Sequence, residues 1–395
     1  MRCYPFRFYF EWLSQIEMTN DKTADLAIVG AGIVGLAHAY HALKKGLKVV
    51  LFEREQFAVG ASVRNFGMLW PIGQAPGEGL DLALRSREHW MEVSKEGKFW
   101  LNPSGSLHLA YHQDEWDVLN EFTSRYPETY QAQLLTPDEV IRKSPVVNPN
   151  GLVGGMWSAS ECVVNPREAV RRIPAWLQER YGLEVRYGQQ VQEISLPKIV
   201  TSEASWRADK VIICSGAEFQ TLYPHVFKQH GLKKCKLQMM KAVSGNHELR
   251  IGPSLCAGLT LRHYAAFAEC PTLKKVDARY DKEFGDFKVH GVHVLLSQNN
   301  FGELIIGDSH HYADTHEPFD DEYINQIILN YLKSFVHLPE LKITARWHGI
   351  YPKLSGQLNL VVEPEPNVTI VNGLGGAGMT LSFGLAEKVI DRMYR

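Results

Sequence analysis

The chain has few cysteines, and none of them form a C-x-x-C pair. Its six cysteines are scattered over 395 residues. A disulfide framework or a zinc ribbon needs closely spaced pairs, so neither is expected. Isolated thiols are typical of a reducing compartment, and we therefore predict a cytoplasmic location.

Excess positive charge and long apolar runs are also missing. Lys and Arg number 42 against 44 Asp and Glu, which gives a net charge of −2, and no long basic run occurs. Binding to a phosphate backbone needs a concentrated cationic surface, so nucleic acid is not an expected partner. No stretch of about 18 apolar residues exists, and therefore no transmembrane segment is predicted.

Residues 1–23 are interpreted as an N-terminal extension outside the fold. The first 17 residues are rich in aromatic side chains, but Arg7 and Glu11 interrupt any apolar region. No small-residue cleavage site follows, which disfavours a signal peptide. Two interpretations stay open, an interfacial membrane anchor and an upstream start with Met18 opening the true chain. We favour the second, because the first strand pattern comes only after Met18.

A complete βαβ unit is predicted over residues 25–53. Leu26–Val29 is a short apolar run of buried-strand length. Apolar residues then recur at helical spacing over residues 33–43, and a glycine follows as a stop. Val49–Phe52 predicts a second strand, with Glu53 at its end.

Three glycines in the pattern G-x-G-x-x-G lie on the turn between this strand and helix. Gly30 permits a tight turn, Gly32 lets the backbone approach a pyrophosphate, and Gly35 lets helix and strand pack closely. The N-terminus of the helix offers free N–H groups to the anion. Glu53 follows Gly32 by 21 residues, where a carboxylate binds a ribose hydroxyl and disfavours the 2′-phosphate of NADP. Further residues expected at this dinucleotide site are Ile33, Val34 and Arg54.

Four motifs, in order along the chain, resemble those of the D-amino-acid oxidase-like FAD-dependent oxidoreductases. The first is the glycine fingerprint, and the chain has no second one for NAD(P)H. The second, residues 60–69, is similar to the S-x-x-N-x-G segment that passes the pyrophosphate and the flavin. The third is a strand that ends at Gly216, with Val191 on the adenine side, and the fourth looks like the loop that grips the pyrimidine edge of the flavin. The further FAD-site residues that the resemblance implies are Ser62, Asn65, Gly67, Met68, Val191, Gly216, Gly376, Ala377, Gly378, Met379 and Thr380.

The resemblance covers about residues 24–395 and implies an α/β fold with a discontinuous FAD-binding domain. We predict that this Rossmann-like domain consists of residues 24–85, 165–225 and 343–395. A second, mixed-sheet α+β domain is expected to roof the flavin and to hold the substrate. Its predicted segments are residues 86–164 and 226–342.

The resemblance also implies the type of chemistry. Amine oxidation in this family transfers a hydride to flavin N5, so the cofactor carries the difficult step. The region in which relatives bring side chains over the flavin ring contains His348 and Tyr351, which are predicted catalytic residues. Lys241 is a third, as a cation that promotes reaction with oxygen. Residues 343–372 contain no cysteine, so FAD is expected to be bound non-covalently.

The segment predicted to bind the substrate is an apolar, strand-like run at residues 259–264. Arginine and histidine suit an anionic substrate group, and the predicted substrate-binding residues are Arg262, His263, Tyr264 and Arg64. Where some relatives place an arginine for a substrate carboxylate, this chain has Tyr351 and Lys353. Structural roles stay open as alternatives: a surface ion pair for Arg262, a core position for His348 and a solvated strand position for Lys241.

Histidine and aspartate residues also gather between positions 308 and 316. The residues concerned are Asp308, His310, His311, Asp314 and His316. Their spacing matches no standard ligand pattern, and the run follows a predicted strand. A loop is therefore expected here, and no metal site is predicted.

The combined motifs look like one branch of the family that genome neighbourhoods link to phosphonate breakdown. The implied reaction is oxidative deamination of a small primary amine, specifically an aminophosphonate related to 2-aminoethylphosphonate. The alternative is a D-amino-acid or glycine/sarcosine-type oxidase or dehydrogenase, and a third interpretation is a flavin-bearing module without an oxidation role. Oxygen or a quinone is the expected electron acceptor.

Overall fold

The computed structural model describes residues 22–395, so the predicted N-terminal extension lies almost wholly outside the described residues. Every helix in the described part is too short or too polar to span a bilayer. The strands are β1 Thr23–Val29, β2 Val49–Glu53, β3 Met68–Leu69, β4 Leu101–Asn102, β5 Ser106–Ala110, β6 Gln133–Leu135, β7 Gly154–Ser158, β8 Cys162–Val164, β9 Glu184–Tyr187, β10 Val191–Ser195, β11 Lys198–Thr201, β12 Ser205–Ile213, β13 Lys233–Val243, β14 Ser254–Ala257, β15 Leu295–Gln298, β16 Leu304–Gly307, β17 His311–Ala313, β18 Lys342–Lys353, β19 Leu360–Glu365 and β20 Val368–Asn372. The helices are α1 Ile33–Lys44, α2 Glu78–Gly97, α3 Gln113–Arg125, α4 Pro137–Lys143, α5 Pro166–Tyr181, α6 Pro224–Gln229, α7 Leu273–Glu283, α8 Gly285–Val289, α9 Glu322–Phe335 and α10 Gly378–Met393.

The first sheet holds the predicted βαβ unit at its centre. Its strand order is β10–β11–β12–β1–β2–β9, with β20 also paired to β12 and β19 paired to β20. Strand β1 runs parallel to both β2 and β12. The apolar stretches of β1, β2 and β12 are buried, as parallel strands covered by helices on their faces must be. Helices α1, α2, α5 and α10 pack over one face.

The second sheet is mixed. Its order is β17–β13–β16–β15–β14–β5–β7–β6, with β18 also paired to β13. Strands β14 and β5 run parallel, whereas β13, β15 and β16 pair antiparallel. Together with the first sheet, this arrangement confirms the predicted fold class of a Rossmann-like unit joined to a mixed-sheet unit.

Strand β18 carries the chain from the second sheet back to the first. It pairs antiparallel with β13 from Lys233 opposite Lys353 to Val243 opposite Lys342. The chain then continues into β19 and β20 of the first sheet and into α10. The sequence-based domain boundary before residue 343 stays a prediction.

The strand-like character expected for residues 259–264 is wrong. Strand β14 ends at Ala257, and a single 3-10 turn follows over Gly258–Thr260. Leu259 N donates to Tyr331 Oη at 3.1 Å, so a side chain and not a strand ladder satisfies this backbone group. Residues 262–264 therefore lie on a turn beyond the end of β14.

Candidate active site

One cavity of about 1010 Å³ is lined by residues from both sheets. One end is formed by the turn after β1 and by the residues that lead into α10. The other end is formed by residues 262–265, by the segments that flank β15 and β16, and by the end of β18. Ligand pockets usually measure about 300–1,000 Å³, so this cavity suits a large cofactor together with a small substrate.

The turn after β1 is built on two close backbone contacts. Gly30 has a φ of +103°, and a Cβ there would lie 2.4 Å from Cys214 O. A Cβ on Gly35 would lie 2.0 Å from Gly30 O. The N-cap residue of helix α1, Gly32, makes no side-chain cap, and the first turn holds no acid. The N-terminus of α1 therefore presents partial positive charge to an anion in the cavity, whose wall includes Gly32, Ile33 and Val34.

Glu53 is fixed at the end of β2, beside this turn. Its Oε2 accepts a hydrogen bond from Ala31 N at 3.0 Å, and its Oε1 accepts one from Glu55 N at 3.1 Å. An ionised carboxylate has about four acceptor sites, so two N–H bonds leave capacity for ribose hydroxyls. Arg54, the next residue, also lines the cavity.

The loop before β3 supports the same turn. Ser62 Oγ accepts a hydrogen bond from Ile33 N at 2.9 Å, and Asn65 Oδ1 accepts one from Gly67 N at 2.7 Å. Ser62, Asn65 and Met68 line the cavity, whereas Gly67 lies behind its wall. The second motif thus contributes both lining residues and a residue that shapes the loop.

A second helix N-terminus opens into the cavity at α10. The N-cap residue Ala377 makes no side-chain cap, and the first turn holds no acid. Thr380 Oγ1 accepts a hydrogen bond from Trp70 N at 2.9 Å, which ties this turn to β3. Two such N-termini fit a cofactor with a pyrophosphate and a ring edge that becomes anionic on reduction. Lining residues that the sequence predicted for this wall and for the adenine end are Val191, Gly216, Gly376, Ala377, Gly378, Met379 and Thr380.

Tyr351 and Lys353 lie where the two ends of the cavity meet. Tyr351 Oη is 3.7 Å from the position that a Cβ would take on Gly376, and Lys353 Nζ is 3.3 Å from the same position on Gly375. Burial raises the pKa of Tyr351 well above its usual value, so its hydroxyl stays neutral and can donate. The pair can therefore hold an anionic group beside the cofactor loop.

Three imidazole rings meet at the substrate end. The ring centroid of His263 lies 3.7 Å from that of His293 and 4.8 Å from that of His310. His293 Nε2 lies 3.1 Å from Asp308 Oδ1, and His310 Nδ1 lies 2.9 Å from Gly291 O. Burial lowers the pKa of His310 below the usual value, so this ring is neutral at pH 7. We call His263, His293, His310 and Asp308 the histidine cluster.

Sequence reasoning missed His293. It stands between two valines just before β15 and belongs to no motif. Its ring partners, His263 and His310, are 30 and 17 residues away along the chain. Pairing of β14, β15 and β16 brings the three together, and no local pattern indicates that pairing.

Arg262 is already paired with carboxylates. Its Nη1 lies 3.3 Å from Asp281 Oδ1, and its Nε lies 3.7 Å from Asp277 Oδ1. The side chain reaches the cavity wall, but only 14% of it is exposed. This geometry favours the ion-pair alternative over the role of main anion handle.

Lys241 and His348 lie apart from the cavity wall. Lys241 Nζ pairs with Glu303, and His348 Nδ1 lies 2.9 Å from Asp320 Oδ1. Neither residue is among those that line the cavity in the described part of the chain. The catalytic roles predicted for them therefore lack a contact with the site.

Arg64, by contrast, lines the cavity while its Nη1 donates to His348 O at 3.3 Å. Tyr264 lines the cavity beside the histidine cluster.

Known proteins are similar to this chain in sequence and in fold. Monomeric sarcosine oxidase of Bacillus sp. (strain B-0618) is 26% identical over 201 residues, which cover 49% of this chain and 51% of that protein. The chain thus spans about half the length of this relative. Glycine oxidase of Bacillus licheniformis is 22% identical over 357 residues, 87% of this chain and 85% of that protein. The solved structure of glycine oxidase from Bacillus cereus ATCC 14579 superimposes over 94% of each chain with a TM-score of 0.75 at 18% identity, which shows a shared fold.

One family profile spans nearly the whole described chain. The profile described as FAD dependent oxidoreductase (DAO) matches residues 25–392. The match includes the glycine turn after β1, the wall that leads into α10 and the substrate end between them. It confirms the family resemblance that the four motifs predicted. Since sequence, fold and cavity agree, the chain belongs to the FAD dependent oxidoreductase family and is an enzyme whose cofactor is FAD.

Proposed function

We propose that this enzyme binds FAD non-covalently and oxidises the carbon–nitrogen bond of a small amine. The observation that carries the proposal is that the nucleotide end and the substrate end open into one cavity. The relatives named sarcosine oxidase and glycine oxidase support it, because both names refer to small amines. FAD supplies the hydride acceptor when it is bound, so the chain itself has to bind and orient the substrate.

Lys353 and Tyr351 hold the substrate by an anionic group. Both line the cavity, where Lys353 supplies the charge and the neutral hydroxyl of Tyr351 donates a hydrogen bond. The positive charge of Lys353 also disfavours protonation of a nearby amine. The substrate amine is thereby kept in its neutral form, in which the carbon beside the nitrogen can release a hydride.

An amino acid of the glycine or sarcosine type is the first substrate class. A single carboxylate is matched by Lys353 and Tyr351, and the names of the relatives support this class. A small aminophosphonate related to 2-aminoethylphosphonate is the second. Arg64 also lines the cavity, so it and Lys353 together offer two cations to a phosphonate dianion.

The test is an anaerobic screen scored by loss of the absorbance of oxidised flavin. The panel holds glycine, sarcosine, D-alanine, 2-aminoethylphosphonate and the uncharged propylamine. Faster reduction of the flavin by the amino acids supports the first substrate class, and faster reduction by the aminophosphonate supports the second. If no amine in a broad panel reduces the flavin, amine oxidation is the wrong reaction. Re-oxidation by air or by a soluble quinone then assigns the electron acceptor.

Lys353→Met is expected to raise KM for anionic amines more than about tenfold, which corresponds to about 1.4 kcal/mol. KM for propylamine should change little, because that substrate has no anion for Lys353 to bind. The matched control is Lys241→Met, in which a lysine outside the cavity wall is changed. Equal effects of Lys353→Met on charged and uncharged amines would assign a structural role to Lys353. A comparable effect of Lys241→Met would show that the change in KM does not depend on a lysine in the cavity wall.

Glu53→Ala is expected to weaken FAD binding by about 1.5–3 kcal/mol, the usual contribution of hydrogen bonds to a charged group. This corresponds to about 10- to 150-fold in Kd, measured by fluorescence during titration of apoprotein with FAD. Glu53→Gln separates two causes, because an amide oxygen still accepts from Ala31 N while the charge is lost. Unchanged affinity in both variants would show that Glu53 contributes nothing to FAD binding.

A further inference from the structure

We propose that the histidine cluster is a binding site for one divalent transition-metal ion at the substrate end of the cavity. The donor atoms come from three separate segments: His263 beyond β14, His293 before β15 and His310 after β16, with Asp308 nearby. The proposal goes beyond amine oxidation, which needs no metal. It replaces the expectation that the histidines around position 310 form no metal site.

The donor atoms are close enough to share an ion. One ligand nitrogen from each of the three rings lies within 4.8 Å of the other two. Zn–N bonds of about 2.0–2.1 Å in tetrahedral geometry need nitrogens about 3.3 Å apart. The nitrogens therefore have to draw together by no more than about 1.5 Å. Because the His293 ring lies stacked on the rings of His263 and His310, it also has to turn until its nitrogen faces theirs.

Two buried atoms of the cluster lack the partners that burial requires. His293 Nδ1 and Asp308 Oδ1 have no hydrogen bond, although their side chains are only 4% and 6% exposed. His293 Nε2 lies 3.1 Å from Asp308 Oδ1 but is not aligned to donate to it. An unsatisfied buried polar atom costs about 1–3 kcal/mol, more if it is charged. A cation bound by His293 Nδ1 would satisfy that atom and would offset the charge of the nearby carboxylate.

The orientation of His310 is typical of a metal ligand. Its Nδ1 faces Gly291 O at 2.9 Å, so the ring proton is held there and Nε2 keeps its lone pair. Nε2 points into the cluster, 3.9 Å from Asp308 Oδ2. Ligating histidines almost always donate their other N–H to a carbonyl or a carboxylate in this way.

The donor set and its charge select the class of ion. Three imidazoles suit Zn²⁺ or Co²⁺ and not Mg²⁺ or Ca²⁺, which prefer oxygen ligands. Lys353 is the nearby cation that acts on His263 and His310, and the carboxylate of Asp308 offsets its repulsion of a metal ion. His263 is accessible from the cavity, which gives an ion a path into the cluster.

A second histidine group in the described chain provides an internal control. His41, His89 and Glu387 also bring their ligand atoms within 4.8 Å. There, Arg85 Nε and Nη2 each lie 2.6 Å from a Glu387 oxygen. The guanidinium of Arg85 already neutralises this carboxylate in a bidentate pair, so the second group is not expected to bind a metal.

The experiment titrates Zn²⁺ into chelator-treated, FAD-loaded protein and follows binding by calorimetry. Wild type is expected to bind one ion per chain, and X-ray absorption at the zinc edge should show imidazole nitrogen ligands. Loss of a residue that only hydrogen-bonds to a metal ligand weakens metal binding by about 10–100-fold. His263→Gln and His310→Gln, which remove ligands, should each weaken zinc binding by more than this. The control variant His41→Gln should bind as wild type does.

Absence of stoichiometric binding to wild type would overturn the proposal, as would equal weakening by His41→Gln. Flavin absorbance of each variant checks that the fold is kept. If a variant loses flavin, the zinc-edge spectrum of wild type alone decides, and a spectrum without imidazole ligands refutes the site. These readouts need no substrate, so failure of the metal site would leave the proposed amine oxidation to be tested separately.

Discussion

Gly35→Ala is expected to yield a protein that purifies without FAD and unfolds at a lower temperature than wild type. Helix propensity alone favours alanine over glycine by about 1 kcal/mol. The new Cβ would, however, lie 2.0 Å from Gly30 O and 3.3 Å from Ile28 Cγ2. The nearer atom belongs to the backbone and cannot rotate away, so α1 has to move off β1. Overpacking of this kind costs about 1–3 kcal/mol or more, and the shift displaces the N-terminus that binds the pyrophosphate.

Flavin content and the thermal unfolding midpoint measure this effect. Gly285→Ala is the matched control, because this helical glycine is exposed and a Cβ there meets nothing within 4 Å. It should keep FAD and be as stable as wild type or slightly more so. Full FAD occupancy in Gly35→Ala would mean that helix and strand need not approach as closely as the structure has them.

Arg279→Met is expected to lower the free energy of unfolding by about 3–5 kcal/mol, the usual cost of removing one partner of a buried ion pair. Arg279 Nη2 lies 2.7 Å from Glu115 Oε1, and its Nε lies 2.9 Å from Asp114 Oδ2. Only 1% of the Glu115 side chain is exposed. Without the guanidinium this carboxylate stays buried without its cation, and the contact between α3 and α7 is weakened.

Urea denaturation of the FAD-loaded protein measures the loss, with two comparisons. Glu115→Gln added to Arg279→Met should recover part of the stability, since the uncompensated charge is removed. Arg125→Met breaks an exposed pair with Glu269 and should leave the free energy of unfolding nearly unchanged. If Arg279→Met costs no more than this surface variant, the buried pair does not hold the two helices together.

The nucleotide half of the site was predictable because its signals are local. The turn, the helix and the acid all fall within residues 25–53, and each follows from a short-range rule about glycine, periodicity or strand length. The structure places Gly30, Gly32 and Glu53 around the same turn. Backbone geometry dictates these residue types, so the sequence alone carries the information.

The substrate half was only partly predictable. His263, Tyr264 and Arg64 do line the cavity, but His293 enters the site through long-range strand pairing. Arg262 is predicted because a cation in an apolar run suggests a pocket, and Lys241 is predicted as a cation that promotes reaction with oxygen. In the structure, acidic residues that are distant in sequence pair with both. Charge pairing of this kind depends on tertiary contacts, which a one-dimensional pattern does not contain.

The parallel pairing of β1 with β12, and of β12 with β20, has a consequence for biosynthesis. Val29 at the end of β1 and Asn372 at the end of β20 are 343 residues apart, and at about 5–20 residues per second a ribosome needs about 20–70 s to translate that distance. During this time the apolar β1 and α1 lack part of their final cover. Since the wall at residues 376–380 is made long after the glycine turn, the complete FAD site cannot form before these residues are translated, and the nascent chain is a natural client for chaperones.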